Sequence, residues 1–244
     1  MITIAISTYN RLSQLSQCLT SIDSTQVDEI LIFNDDEKNK LNLKNISLEN
    51  SIVDYINIYE PSNFKFYDRK FRKPFYINKA LEIAKNKSVL ISDDDVIFHK
   101  GCIDKHINAL LKYPFCSGGI IKNNIIGKVS ASILQGTNYS INKELFNDIN
   151  GYDEFFMDTN GGGDFDFWYR LYQFSKKTDT KLAYIPTAIQ KVSGKSVRKK
   201  NFSNKTKAKE YTLEKHSLNL TGPMYKWCPQ IRNKKTWMDV IDDK

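Results

Sequence analysis

Nowhere in these 244 residues does an apolar run approach the roughly 20 that a bilayer-spanning helix needs, which argues against a membrane span. Met1 to Ser7 carries neither a basic region nor a small-residue cleavage site, so it reads as a strand and not as a signal peptide. Cysteine is scarce. Cys18, Cys102, Cys116 and Cys228 are scattered without the spacing of a metal site or a redox pair, as expected in a reducing compartment. A cytoplasmic protein follows, with the inner face of a membrane as the other placement. Histidine is scarcer still, with three. His99 and His106 fall on what reads as a helix surface and carry no chemistry there. No nucleic-acid motif is present, and no nucleic acid is expected as a partner.

What the chain does have is apolar mass. Hydrophobic residues make up 41% and aromatic ones 12%, enough to core one large α/β domain or a domain with an appendage. The net charge of +8 is uneven: ten Lys and Arg against two acids lie between Lys181 and Lys215, and the remainder is balanced. Such a segment attracts polyanions, and peripheral contact with an anionic membrane through 181–215 is one reading. A lysine-rich solvated helix is the other.

Thr3 to Ile6 reads as a strand, then come polar Ser7 to Arg11, then Leu12, Leu15, Leu19 and Ile22 at helical spacing. Glu29 to Phe33 is a second buried strand, ending in Asn34, Asp35 and Asp36. A third is expected at Ser51 to Tyr59. Asn63 to Pro74 is basic and aromatic, and a helix runs from about Tyr76 to Asn86. Val89 to Ile91 is an apolar strand that stops abruptly at Asp93, Asp94 and Asp95. Further helices are expected at Cys102 to Tyr113, Lys143 to Ile149 and Phe167 to Phe174, with strands at Ser117 to Ile121 and Gly136 to Ile141. This alternation predicts an α/β fold with a mostly parallel central sheet flanked by helices. Such sheets bind ligands at the carboxyl ends of their strands, where three polar or acidic strand ends fall here.

Three adjacent carboxylates repel one another and resist burial. A hard divalent cation, Mn²⁺ or Mg²⁺, would neutralise them, although a solvated acidic turn would look the same in isolation. Downstream, Gly161, Gly162 and Gly163 permit positive φ or close backbone approach. Asp164 follows at a helix start, where capping is the plainer explanation.

In this order and spacing, the segments resemble the family 2 glycosyltransferases of GT-A fold over about residues 2–195. Ser7-Thr8-Tyr9-Asn10-Arg11 is similar to the family's first-strand segment, which contacts the nucleotide base. Ile30 to Asp36 resembles its second strand, usually ending in two aspartates and a glycine, where Asn34, Asp35 and Asp36 stand here. Asn78-Lys79-Ala80-Leu81 through Ile91 resembles the helix leading into the DxD strand, and Asp93-Asp94-Asp95 the DxD itself. Gly151 to Glu154 and Gly161 to Asp166 look like the acceptor-side motifs. Polymerising and lipooligosaccharide-type transferases are the nearest in pattern.

The resemblance implies a GT-A domain at 1–195, with a nucleotide-binding half at about 1–100 and an acceptor half at about 101–195. A basic C-terminal extension, 196–244, would pack on it, since Trp227 and Trp237 argue against a free tail. The implied enzyme is a hexosyl- or N-acetylhexosaminyltransferase of polysaccharide biosynthesis. It would move a sugar from a nucleotide sugar, expected to be a UDP-sugar, to a hydroxyl of a glycan or lipid-linked acceptor, inverting C1. Thr8, Tyr9, Arg11, Asp35, Lys73, Asp93 and Asp94 would hold the donor: Tyr9 by stacking, Asp35 through a uracil N–H, the cations through phosphate. Asp95, Asp93 and His216 would hold the metal, a Lewis acid for the leaving group. Asp164 would be the general base. Gly162, Gly163, Asp166 and Trp168 would face the acceptor, with Trp168 also readable as core.

Two departures stand out. Gly163 occupies a place where glutamate is common, and no histidine follows the last core strand around Pro186 to Lys191. Lys191 or a neighbouring cation would then meet the diphosphate. Both departures keep open a catalytically degenerate protein of the same fold that binds a nucleotide or glycan. A metal-dependent nucleotidyltransferase ranks behind, because it should carry a glycine- and basic-rich loop where Ser7 to Arg11 stands.

Overall fold

The computed structural model describes residues 1–23, 25–45, 53–64, 72–121, 136–159, 161–193, 205–219, 231 and 233–241. Within them a single sheet takes nine strands: β1 (Ile2–Thr8), β2 (Val27–Asn34), β3 (Ile56–Tyr59), β4 (Ser88–Asp93), β5 (Val96–Phe98), β6 (Phe115–Ile121), β7 (Tyr139–Asn142), β8 (Ala183–Val192) and β9 (Asp239–Val240). Their order is β3-β2-β1-β4-β7-β6-β8-β5, with β9 on β8. The β3-β2-β1-β4 run is parallel, as are β6-β8 and β8-β9, while β7 and β5 run antiparallel to their neighbours. This is the mostly parallel α/β sheet that the alternating pattern predicts.

Successive side chains of a strand point to opposite faces, and here both faces are covered. Ile2, Ile4 and Ile6 of β1, Ile30 and Ile32 of β2 and Leu90 of β4 share one core. Over it lie α1 (Leu12–Thr20), which buries Leu15, Cys18 and Leu19, and α3 (Cys102–Leu110), which buries Cys102, Ile103 and Ile107. Ala5, Leu31, Phe33, Val89 and Ile91 point the other way. They meet α2 (Lys73–Ile83) through Tyr76, Ile77, Ala80 and Leu81, and α5 (Gly163–Thr178) through Phe167, Trp168 and Leu171. Between β7 and α5 lies the short helix α4 (Lys143–Asp148), whose start is capped by Asn142.

Several boundaries differ from the expected ones. Helix α2 begins at Lys73, with Pro74 in its first turn, where a fixed φ suits the helix and no N–H is missed. Helix α5 begins four residues before Phe167, at Gly163. The expected strand at Ser51 to Tyr59 is realised as Ile56–Tyr59, and Ser51 and Ile52 lie outside the described residues, as do 65–71 and Trp227.

His106 is not on a helix surface. It is fully buried between α3 and β7, with Nδ1 2.8 Å from the Ser140 hydroxyl and Nε2 3.1 Å from Asn138 Oδ1. Burial pushes its pKa down to about 4, so the ring is neutral and serves the core.

The described residues after 195 pack on this body. A sixth helix, α6 (Lys205–Lys215), stacks Tyr211 on Phe155 at 3.7 Å, and β9 extends the sheet. Lys234 is fully buried, donating to Ser117 Oγ at 2.9 Å beneath the rings of Trp168 and Tyr184, 5.2 and 5.0 Å away. Within segment 181–215 β8 crosses the sheet and Lys215 is paired with Asp153 and Asp166, while 194–204 lie outside the described residues. No helix among the described residues is long and apolar enough to cross a membrane.

Candidate active site

Register decides what gathers at the rim. Ser7 of β1 stands beside Phe33 of β2 and Asp93 of β4, so the carboxyl ends of these three strands lie level. Asp93 is two residues on from Ile91 and shares its face, the side covered by α2 and α5. Asp94 falls on the opposite side, with Thr8. A one-residue slip of β4 would exchange them.

The geometry follows that parity. Lys73, the first residue of α2, is bonded through its ammonium to Asp93 Oδ1. Asp94 is 3% exposed and accepts from the Thr8 hydroxyl at 2.7 Å and from Arg11 at 3.0 Å. The same Arg11 nitrogen reaches Asp95 Oδ2 at 2.8 Å. Burial pushes the Asp94 carboxyl up to about 6 against the pull of Thr8 and Arg11. Asp95 is also raised, first by burial and then by Asp93, against Arg11 and Lys73. Asp35 begins just past β2, its N–H held by Thr8 O at 2.8 Å. Its Oδ1 accepts from Arg72 at 3.0 Å and from the Tyr76 hydroxyl at 3.1 Å. Tyr9 is exposed on the same rim.

Asp164 approaches from the other side, in the first turn of α5. It lies deep within the protein mass, yet its side chain is open to solvent, as at the floor of a cleft. Burial raises its pKa and the charge of Asp93 adds to that, while Lys73 and a 3.4 Å hydrogen bond from the Tyr152 hydroxyl lower it; the balance is upward. Tyr152 in turn accepts from the Tyr139 hydroxyl at 3.1 Å. The acidic strand end and the helix-start carboxylate therefore act on one ammonium, that of Lys73.

Other expected site residues are placed elsewhere. Trp168 is fully buried, edge-on to Phe115 and Trp237, so it is core and cannot stack on an acceptor. Asp166 is also fully buried, held by Arg170 at 2.7 Å, Lys215 at 2.9 Å and His216 at 2.8 Å. It ties α5 to α6 and does not face an acceptor. That bond also occupies His216 Nε2, which points to Asp166 and not to the acidic strand end. Gly162 has φ +95°, and a side chain there would meet Phe156 at 2.9 Å, so glycine permits both the turn and the packing of the helix start. At Gly163 a side chain would likewise point at Phe156, at 3.3 Å, and away from solvent. Lys191 is exposed beside β5.

Asn34 and Asp36, the two departures in the second-strand motif, are absorbed by the turn they build. Asn34 donates to Asn39 O and Glu60 Oε2, both at 2.8 Å, and accepts from Asp36 N at 3.1 Å. Asp36 accepts from Lys38 N and from Asn39. Some neighbours were not singled out in the sequence. Gly136 runs so close to the base candidate that a Cβ would sit 2.6 Å from Asp164 Oδ1. Thr137 accepts from Asp93 N at 2.9 Å, and Asn78 binds both main-chain polar groups of Tyr152, at 2.8 and 2.9 Å. Only Asn78 carried a signal, since it opens one of the recognised segments.

The sequence profile of Glycosyl transferase family 2 matches residues 3–178. The chain belongs to this family. Its fold is GT-A, as shown by two solved structures. The mannosyltransferase PcManGT from Pyrobaculum calidifontis, in complex with GDP-Man and Mn²⁺, is 15% identical with a TM-score of 0.56, over 96% of this chain and 69% of that one. S. aureus TarS 1–349 is 11% identical with a TM-score of 0.54, over 96% and 70%. No curated protein sequence matches it. The glycosyltransferase covers with its family segment β1 through α5, and so every residue of the cleft named above.

Proposed function

We propose that this glycosyltransferase moves a hexosyl or N-acetylhexosaminyl group from a UDP-sugar to a hydroxyl of a glycan or lipid-linked acceptor, inverting C1. The observation that carries this reading is that Asp93 is paired with Lys73 and bonded through its N–H to Thr137, one residue along from Gly136, which abuts Asp164. Asp164 takes the proton of the acceptor hydroxyl as its oxygen bonds to C1. The bond from C1 to the diphosphate breaks, and the electron pair leaves with the phosphate oxygen. Arg11 and Lys73 stand where they offset that charge. Tyr9 stacks on the base, and Asp35, braced by Arg72 and Tyr76, accepts from a uracil N–H.

Among the described residues no three acidic, His or Cys side chains form a ligand set by themselves. The donor chemistry still fits Mn²⁺ or Mg²⁺, which are commonly held by one or two carboxylates plus substrate phosphates. Asp93 and Asp95 each give one oxygen to a side-chain cation, and among the described residues the second oxygen bonds no other side chain. These two residues would hold the ion, which supplies Lewis-acid stabilisation of the leaving diphosphate. The Mn²⁺ and GDP-Man in the Pyrobaculum structure support a divalent ion and a nucleotide-sugar donor.

Asp164→Asn tests the base. Transfer should fall by about 10²–10⁴-fold, the usual worth of a general base, while thermal-shift titration shows nucleotide-sugar binding intact. Transfer at the wild-type rate would remove Asp164 from the chemistry. A wild-type chain that binds donors and never transfers would favour the degenerate alternative.

A further inference from the structure

We infer that Lys73 is a built-in counter-cation: it neutralises Asp93 while the site is empty and yields that carboxylate to the divalent ion when the donor diphosphate arrives. This rests on the proposed function, and it gives the chain a reason to take ion and nucleotide together.

The acidic strand end is divided between two cations. Arg11 spans Asp94 and Asp95, and Lys73 takes Asp93. They are not equivalent. Arg11 is fastened by two carboxylates through one guanidinium, a planar fork that holds its place. Among the described residues Lys73 is bonded to Asp93, at the end of a flexible four-carbon stem, while Asp164 and Asp95 also act on it. Beside that stem lies a narrow crevice with free space of only about 10 Å³, lined in part by Ser7, Phe33, Tyr76 and Ser92. The ammonium has alternative anions on both sides of it.

Two cations on one carboxylate repel each other, so an ion arriving alone meets Lys73 still held at Asp93 and gains little there. An ion arriving with a diphosphate brings the anion that Lys73 can move to. The carboxylate loses one cation and gains another, and the lysine exchanges Asp93 for phosphate oxygen. A lysine with a merely structural role has no such dependence on the nucleotide.

The test uses the full chain and two probes, Mn²⁺ and UDP. Free Mn²⁺ is followed by electron paramagnetic resonance, without nucleotide, for wild type, Lys73→Met and Lys73→Arg. Lys73→Met should bind Mn²⁺ alone about tenfold more tightly than wild type, and Lys73→Arg should resemble wild type. With Mn²⁺ saturating, calorimetry should show UDP bound about tenfold more weakly by Lys73→Met. The opposite signs exclude simple damage, because a misfolded variant loses both affinities. If Lys73→Gln, kept as a second neutral variant, and Lys73→Met leave Mn²⁺ affinity unchanged or lower it, the inference is wrong. That outcome leaves the proposed transfer standing. Should wild type fail to bind Mn²⁺ even with UDP, the metal reading falls and this inference with it.

Discussion

Around Asp164 four influences compete over one proton. Burial and Asp93 favour the neutral acid, while Lys73 and the Tyr152 hydroxyl favour the carboxylate, and the net shift is upward. A general base works only when ionised, so the acidic limb of kcat/KM should lie above the ordinary carboxylate range. Tyr152→Phe removes one group that stabilises the charge. The limb should then move further toward alkaline pH, with the rate above it little changed. A pH–rate profile checks this, and an unmoved limb would take Tyr152 out of the base's surroundings. The carboxylates themselves were legible in the sequence, because acidic residues at strand ends and helix starts announce a rim. The roles of Gly136 and Tyr152 were not, although Tyr152 lies inside one of the acceptor-side motifs. Their roles arise from contacts between segments far apart in the chain, which no local pattern carries. His106 is the converse: an amphipathic helix looks the same whether a histidine at its margin faces water or two buried partners.

Helix α5 shows how one element divides its work. Residues two apart on a helix point roughly 200° from each other, so Asp164 and Asp166 cannot serve the same surface. Asp164 takes the cleft, Asp166 the junction with α6, and Trp168 the core one turn deeper. The short acidic motif hid this division, and which carboxylate stays open to solvent became clear only from what α6 covers. Despite burial, the bonds from His216 and Arg170 hold the Asp166 carboxyl down at about 2. The folded value lies below the unfolded 3.8, so this stabilisation is complete above about 4 and disappears as pH falls toward 2. Asp166→Asn should cost about 1–3 kcal/mol at pH 7, since it takes the carboxylate partner from half-buried Arg170 and His216. Urea denaturation should show that cost at pH 7 and little of it near pH 2. An equally stable variant at neutral pH would mean that the junction contributes nothing.

At the scale of the whole molecule, alternating strands and helices foretold a parallel sheet correctly, because a strand buried on both faces must be apolar throughout. The ends of the chain were harder to place. A two-residue strand such as β9 has no periodicity of its own, and its partner β8 comes about 50 residues earlier. A lysine such as Lys234 reads as surface until Trp168, Tyr184 and Ser117 close around it, and burial then pulls its pKa down to about 7. The sheet, its two helical layers and the described part of the tail pack together, with Asp93 and Asp164 on the same side of the sheet. The most direct measurement is a crystal structure of the chain with Mn²⁺ and an unhydrolysable UDP-sugar. The expected result has the diphosphate at Asp93 and Asp95, the uracil at Asp35, and the anomeric carbon turned toward Asp164. A donor bound with its anomeric carbon facing away from Asp164, or at a different edge of the sheet, would contradict it.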